Sequence, residues 1–346
     1  MSEAALRGPR PRAGLLLLGA AAALAALFVS ALTWGEYPLS LADVAAVLWA
    51  ELGGGAHGRA QTLEAIVLQV RLPRAVAALA VGAALAAAGA TYQSLFRNPL
   101  VSPDILGVSS GAGLGAVLAI VLALPAPLIQ VASFAGGLAA VAVVYAIARA
   151  VRTVHDEVLV LVLAGVVIGA LFSAGVSLLT YLADPYDQLP VITFWLLGSL
   201  SGAGASALWA ALPALLLGLV PLVLLRWRVN VMSLGDEEAQ ALGVHTLAVR
   251  AALIVAATLL SAAAVSLAGM VGWVGLVVPH MARMLVGPDF RRLLPAALLL
   301  GAGYLLLVDT AARSLAGAEI PLGVLNALVG APFFLLLLVR TRRSWQ

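Results

Sequence analysis

Residue types that could carry out chemistry are scarce in this chain. It contains no lysine and no cysteine, so all 19 basic residues are arginines. The absence of lysine excludes a P-loop lysine and a Schiff base, and the absence of cysteine excludes disulfides, thiolate nucleophiles and the commonest zinc ligands. The four histidines share no metal-ligand spacing with one another: His57, His155, His245 and His280. We therefore predict no enzymatic activity, no metal site and no cofactor.

A polar stripe interrupts one otherwise apolar run. Ser173, Ser177, Thr180 and Tyr181 recur at i, i+4, i+7 and i+8, which places them on one face of a helix. Such residues either pack helices together or, as a set, line a water-filled pathway, and the sequence leaves both readings open. A glycine-rich pattern at 111–115 (GAGLG) follows no predicted strand, so close helix packing explains it better than a nucleotide-binding loop.

The sequence offers no power source for transport. Ionisable residues deep in the apolar runs are nearly absent, and Asp309, the best case, lies close to the end of its run. Transporters driven by protons or sodium usually bury acids near the middle of the membrane. Because no Walker motif is present either, we expect any transport to be powered by another protein.

Composition places these residues in a membrane protein. The 346 residues are 63% hydrophobic and 10% charged, against about 25% charged in soluble domains. Runs long enough to span a bilayer predict an all-α polytopic membrane protein of ten transmembrane helices, in a single domain over 1–346. The predicted spans lie near 14–34, 75–95, 106–124, 127–148, 158–182, 206–225, 248–268, 271–286, 293–310 and 321–339.

Some runs depart from a simple span. The eighth is short and glycine-rich, which predicts a broken or tilted helix, and the stretch 191–201 is too brief to cross and predicts a re-entrant or surface helix. The first run follows three arginines and competes with a signal peptide, but its apolar core is too long for one, which favours an uncleaved anchor.

Arginine placement predicts the orientation. With the N-terminus inside, fifteen of the 19 arginines fall on the cytoplasmic side, as the positive-inside rule requires, and both termini are cytoplasmic. The exceptions are Arg59, Arg71, Arg74 and Arg313. These four either snorkel to lipid headgroups, with Asp309 and Arg313 as an i,i+4 pair, or form a positive rim that docks an acidic partner from outside.

Two segments outside the spans carry further signals. Residues 35–70 begin with apolar residues at helical spacing, which predicts an amphipathic helix on the periplasmic surface. On the cytoplasmic side, 226–250 predicts a short helix that starts near Ser233, has acids in its first turn and stops at Gly243. Such a helix is either a connector or a docking element for a second protein.

Four ordered motifs between about 71 and 340 resemble the permease subunits of bacterial ABC importers for iron chelates, haem and cobalamin, the FecCD-type or type II importer family. Residues 98–112 (NPLVSPDILGVSSGA), preceded by 71–74 (RLPR), carry the strongest resemblance. Residues 235–244 (GDEEAQALGV) and 275–283 (GLVVPHMAR) agree with it, as do 319–324 (EIPLGV) with 330–334 (GAPFF). Val101 stands where alanine is frequent in the family, a minor departure.

The resemblance implies a fold and a set of partners. It implies ten transmembrane helices with inverted repeats, a homodimer in the bacterial inner membrane, two cytoplasmic ABC ATPase subunits and one periplasmic substrate-binding protein. The net charge of +3 reports orientation in a membrane protein, so we expect no nucleic-acid partner. Hydrolysis of ATP would belong to the ATPase subunits. The cargo expected first is haem or a ferric siderophore, the alternative is cobalamin, and an ion-driven secondary transporter is less favoured.

The resemblance also implies roles for residues. Arg71, Arg74 and Arg313 look like the arginines that pair with glutamates of the binding protein. The segment that looks like the ATPase coupling helix supplies Gly235, Asp236, Glu237, Glu238, Leu242 and Gly243.

Overall fold

The computed structural model describes residues 11–35, 37–54, 61–151, 157–315 and 318–341. The described residues form helices and loops, with no strand among them. The α-helices are α1 Pro11–Thr33, α2 Leu41–Trp49, α3 Gln61–Glu64, α4 Leu72–Leu95, α5 Val108–Val121, α6 Ala126–Ala150, α7 Glu157–Leu182, α8 Gln188–Leu197, α9 Ala205–Met232, α10 Asp236–Ala241, α11 Thr246–Ala268, α12 Val274–Val286, α13 Phe290–Ala312 and α14 Leu322–Thr341. A π-helical segment, Ala65–Arg71, joins α3 to α4 without a break.

Each of the ten predicted spans coincides with a helix. Within the described residues, seven helices are long and apolar enough to cross a membrane. The apolar helices α5 and α12 are shorter than these seven. The same holds for Leu322–Leu336, the apolar part of α14. The short stretch near 191–201 forms α8, and the eighth predicted span is helical only from Val274, because Gly269 and Trp273 adopt positive φ before it.

The helices α4 and α11 lie at the centre of the bundle, since 78% of the residues in an 18-residue apolar stretch of each are buried. Close backbone contact brings α13 against α4: a Cβ on Gly82 would stand 2.1 Å from the carbonyl oxygen of Gly301. Likewise, a Cβ on Gly111 would stand 2.4 Å from the carbonyl oxygen of Gly136, where α5 meets α6. These glycines let helices pack backbone to backbone, as small residues do in membrane bundles.

The segment after α1 contains the short helix α2. A capping box begins it, because Ser40 Oγ accepts from Asp43 N at 3.1 Å and the Asp43 carboxylate accepts from Ser40 N at 3.1 Å. Val44 and Val47 are buried beneath the helix, while Leu41 is exposed. The exposed side also carries Trp49, so the amphipathic character predicted for this segment stays a prediction.

The segment predicted over 226–250 begins within the helix α9. We placed its start at Arg226, but α9 continues to Met232, and Ser233 Oγ donates to the carbonyl of Asn230 at 2.6 Å instead of capping the next helix. Gly235 is the residue before α10. The helix continues past the two arginines because Val229, Val231 and Met232 are buried while Arg226 and Arg228 lie on the exposed side.

Candidate functional site

The bundle has two ends that carry the predicted site residues. The helix α4 begins beside Arg71 and Arg74. The helix α11 runs antiparallel to it, because its last residue, Ala268, accepts a hydrogen bond from the Ser199 backbone, and the Ser199 side chain is joined to Arg74 through Glu319. We call the end with Arg71, Arg74 and Arg313 the arginine end, and the opposite end the α10 end. Arg59 lies outside the described residues.

Two arginines cap the C-terminus of α1. Arg71 donates through Nη1 to the carbonyls of Leu32 at 2.8 Å and Thr33 at 2.9 Å, and through Nη2 to that of Tyr37. Arg313 donates to the carbonyls of two neighbouring residues, Trp34 at 2.9 Å and Ala31 at 2.7 Å. Helix ends leave their last carbonyls unpaired, and cations satisfy both the oxygen atoms and the helix dipole. Arg71 and Arg313 therefore fix the end of α1.

Arg74 lies between two carboxylates. Its Nη2 is 2.8 Å from Asp309 Oδ1 and 2.9 Å from Glu319 Oε1, and its Nε and Nη1 complete a two-point contact with each acid. Asp309 also pairs with Arg313 Nε at 3.5 Å, so the predicted i,i+4 pair is confirmed, although its main partner is Arg74. We call Arg74, Arg313, Asp309 and Glu319 the ion cluster.

Glu319 connects the ion cluster to α8. Its Oε1 accepts a 2.6 Å hydrogen bond from Ser199 Oγ, two residues after α8 ends. Burial alone would raise the pKa of the Glu319 carboxyl, but hydrogen bonds from Arg74 and Ser199 outweigh burial, so this pKa lies below its ordinary value. Glu319 is therefore ionised at neutral pH and ties α4 to the loop that follows α8.

The structure brings the three predicted docking arginines together, but it gives each of them partners within the chain. Only 12% of the Arg74 side chain and 15% of the Arg313 side chain are exposed, and Arg71 is buried. Sequence reasoning missed Glu319 and Ser199. The signal for Glu319 was a single acid between two apolar runs, but nothing local indicated its partner.

At the α10 end, the first acid of the predicted trio contacts the start of α11. Asp236 pairs with Arg250 at the start of α11, with Nη2 at 2.7 Å from Oδ2 and 3.0 Å from Oδ1. Ala239 is fully buried, and Gln240 Nε2 donates to Thr246 Oγ1 at 3.2 Å. These contacts fix α10 on the start of α11.

The remaining predicted residues of this segment lie on its surface. Glu237, Glu238, Leu242 and Gly243 are exposed, and Leu242 shows 58% of its surface. Gly243 has a φ of 79° and ends the turn, as the sequence predicted. A Cβ on Gly235 would meet the Glu238 carboxylate, because that side chain folds back over the start of the helix. The helix α10 thus presents an acidic and apolar surface.

The polar stripe lies on the exposed side of α7. Ser173, Ser177 and Tyr181 are exposed, with 85% of Tyr181 accessible, and Thr180 is half-buried. Ser173 Oγ lies 3.2 Å from Ser110 Oγ of α5, whereas Ser177 and Thr180 donate to carbonyls of their own helix. The stripe borders large exposed apolar residues of the same helix: Leu163, Val166, Val167, Leu171 and Leu178.

Comparison with known proteins decides the family. The sequence model of the FecCD transport family matches residues 23–340. The chain belongs to this family. It is 40% identical over 330 residues to the molybdate import system permease protein MolB of Haemophilus influenzae, a match that covers 95% of this chain and 96% of the relative.

Further relatives carry other names. A probable iron chelatin transport system permease protein of Helicobacter pylori is 42% identical, over 81% of this chain and 84% of the relative. An ABC transporter assigned to the metal-chelate type, solved in an inward-facing conformation, superimposes with a TM-score of 0.84 at 38% identity, covering 94% of this chain and 99% of that one.

Membership confirms the predicted fold and class. This FecCD-family chain is an all-helical, multi-pass membrane protein and a permease subunit of the type II ABC importers. Permeases of this family work with ATPase and binding-protein partners. The orientation of the termini, the homodimer and the site residues stay predictions.

The strongest motif of the resemblance builds a turn against α7. Asn98 Oδ1 accepts from Leu100 N at 2.9 Å, and Pro103–Leu106 form a single 3₁₀ turn in which the Asp104 carboxylate accepts from Ser109 Oγ. A Cβ on Gly165 of α7 would stand 2.0 Å from the Ile105 carbonyl. In this FecCD-family chain, the motif therefore positions the helix that carries the polar stripe.

Proposed function

We propose that the chain is one half of a homodimeric permease in the bacterial inner membrane, and that it imports a bulky metal chelate, either haem or a ferric siderophore. Two cytoplasmic ATPases power it, and one periplasmic binding protein delivers the cargo. Transport proceeds by alternating access, in which ATP-driven movement of the ATPases opens the dimer to one side and then the other.

The exposed surface of α10 is the observation that carries this proposal. Its inner side is fixed by Asp236 and Ala239, so Glu237, Glu238 and Leu242 are presented to a partner on a rigid support. A short helix that is anchored on one face and exposed on the other can transmit movement from a bound ATPase into α9 and α11. We therefore propose that the α10 end is cytoplasmic.

The arginine end then faces the periplasm. Arg226, Arg228, Arg291 and Arg292 lie near the α10 end, at the end of α9 and the start of α13, which agrees with the positive-inside rule. Arg71, Arg74 and Arg313 supply positive potential at the other end for acidic residues of the binding protein, and Arg74 is the member that touches the partially exposed Glu319.

The exposed side of α7 supports a homodimer with a pathway at the interface. Large apolar residues on this side can pack against a second copy, and the neutral hydroxyls of the stripe border that surface. Hydroxyls without a fixed charge suit a bulky chelate that slides past with few specific contacts. This chemistry is less suited to holding a small oxyanion, although one relative is named for molybdate.

The test is reconstitution of the permease with its ATPase in liposomes, with binding protein outside. We expect binding-protein-dependent ATP hydrolysis and uptake with haem or a ferric siderophore. Stimulation only by cobalamin or molybdate would change the proposed cargo and leave the proposed ABC importer mechanism in place. Uptake by the chain alone under an ion gradient would contradict the proposal and favour a secondary transporter.

A further inference from the structure

The ion cluster contains one inner and one outer carboxylate on the same guanidinium. Asp309 is fully buried, with 1% of its side chain exposed, whereas Glu319 shows 20% of its side chain. An acid that approaches Arg74 from the solvent therefore meets Glu319 before it meets Asp309. The two carboxylates differ in how easily each can leave.

Exchange of the outer carboxylate conserves the interactions of Arg74. Glu319 accepts from Nη1 at 3.1 Å and from Nη2 at 2.9 Å, the two-point geometry that any carboxylate can adopt on a guanidinium. Replacing Glu319 by another carboxylate leaves the number of charge-assisted hydrogen bonds to Arg74 unchanged. Removing Asp309 would instead take away the buried carboxylate that both Arg74 and Arg313 contact, which is far costlier.

Displacement of Glu319 would also affect the loop that follows α8. The loop after α8 and the start of α14 are joined by the side-chain bond from Ser199 to Glu319 and by a backbone bond from Leu322 N to the Gly198 carbonyl at 2.9 Å. When Glu319 moves, the first of these bonds is lost and the end of α8 is held less firmly. The helix α8 follows α7, which carries the polar stripe, after a loop of only five residues.

We propose that Glu319 is a displaceable internal partner of Arg74, and that an acidic residue of the periplasmic binding protein takes its place. Its displacement frees Ser199 and signals at the end of α8 that the partner has docked. This inference rests on the docking role proposed for the arginine end. It explains how arginines that are satisfied within the free permease still recognise a partner.

The experiment compares two variants of the complete permease and ATPase complex in nanodiscs, by measuring the affinity of the purified binding protein. Glu319→Gln weakens the internal competitor while it keeps an acceptor for Ser199. Asp187→Asn makes the same charge change at an exposed acid in the loop before α8 and serves as the control. We expect Glu319→Gln to bind about fivefold more tightly than Asp187→Asn, the size of a partly exposed ion pair.

Equal affinity of Glu319→Gln and Asp187→Asn for the binding protein would contradict the proposed exchange of carboxylates on Arg74. A merely structural role of Glu319 predicts weaker binding, so tighter binding separates the two readings. If Glu319→Gln does not assemble, Glu319→Asp, whose shorter side chain reaches Arg74 less well, is expected to bind more tightly than wild type. No binding to the wild-type complex would instead contradict the docking proposal itself.

Amide hydrogen exchange tests the signal at α8. In the wild type, docking is expected to speed exchange of the amides in 198–204. In Ser199→Ala, which removes the hydrogen bond between Glu319 and the loop after α8, the same amides should exchange fast before docking, and binding should be no weaker than in the wild type because Glu319 has lost one of the bonds that hold it. Exchange in the wild type that docking leaves unaltered would overturn the release of Ser199.

Discussion

Replacing Asp236 with asparagine removes the charge that fixes the first turn of α10 on α11. The Arg250 side chain is 11% exposed and that of Asp236 is 42% exposed, so solvent screens the pair only in part. A hydrogen bond between charged groups contributes about 1.5–3 kcal/mol when well buried, and an exposed ion pair less than about 1 kcal/mol. We therefore expect a loss of about 1 kcal/mol from the contact between α10 and α11.

This loss should alter coupling more than folding. About 1 kcal/mol raises the equilibrium constant for detachment of α10 about fivefold, while the buried Ala239 and the bond from Gln240 to Thr246 still hold the helix. In proteoliposomes that contain the ATPase and the binding protein, the number of cargo molecules moved per ATP should fall, by no more than about fivefold. The thermal stability of the permease in detergent should change little.

Two controls make the result specific. Glu237→Gln removes a neighbouring exposed charge and leaves the pair with Arg250 intact. It should weaken ATPase binding without changing the transport ratio of assembled complexes. The exchange Asp236→Arg with Arg250→Asp should restore part of the ratio. A wild-type ratio in Asp236→Asn, or an equal loss in Glu237→Gln, would refute the anchoring role of Asp236.

Two further predictions concern stability. Gly301→Ala places a Cβ 2.3 Å from the Gly82 carbonyl oxygen, so α4 and α13 must separate. We expect the free energy of unfolding to fall by about 1–3 kcal/mol and the melting temperature, measured by differential scanning fluorimetry, to fall with it. Gly19→Ala, whose Cβ would have nothing within 4 Å, should melt like the wild type. The lowered pKa of Glu319 means that its ion pair stabilises the fold above the ordinary pKa of 4.5 and is lost as pH falls through the lower folded value. Melting temperatures measured below about pH 4.5 should therefore fall more steeply in the wild type than in Glu319→Gln, and equal slopes would contradict this role.

Helix positions could be predicted from the sequence because each span is a local property of about 20 residues. The helix ends differ from the ends of the predicted spans where charge marked the boundary. Arg226 and Arg228 ended the predicted sixth span, yet α9 continues to Met232. A helix ends where its backbone hydrogen bonds end, and exposed arginines on one side do not interrupt them.

Partners in the candidate site could be predicted only over short distances along the chain. Asp309 and Arg313 are four residues apart, and their pairing follows from the geometry of one helix. Arg74 and Glu319 are 245 positions apart, and the carbonyls that Arg71 caps are 38 and 39 positions away. Such pairings depend on how helices pack, which a single sequence does not encode locally.

Both ends of the bundle separate an acid that holds the fold from an acid that a partner can reach. At the arginine end, Asp309 is inner and Glu319 is outer; at the α10 end, Asp236 holds α10 and Glu237 is exposed. A permease that moves between states needs this division, because a partner can act only on contacts that exchange at low cost. Loss of Asp309 or Asp236 removes a contact that holds helices together, and loss of an outer acid changes affinity for a second protein. The two kinds of acid are therefore distinguished by their response to the partner's concentration, since only the effect of losing an outer acid disappears when the partner is saturating.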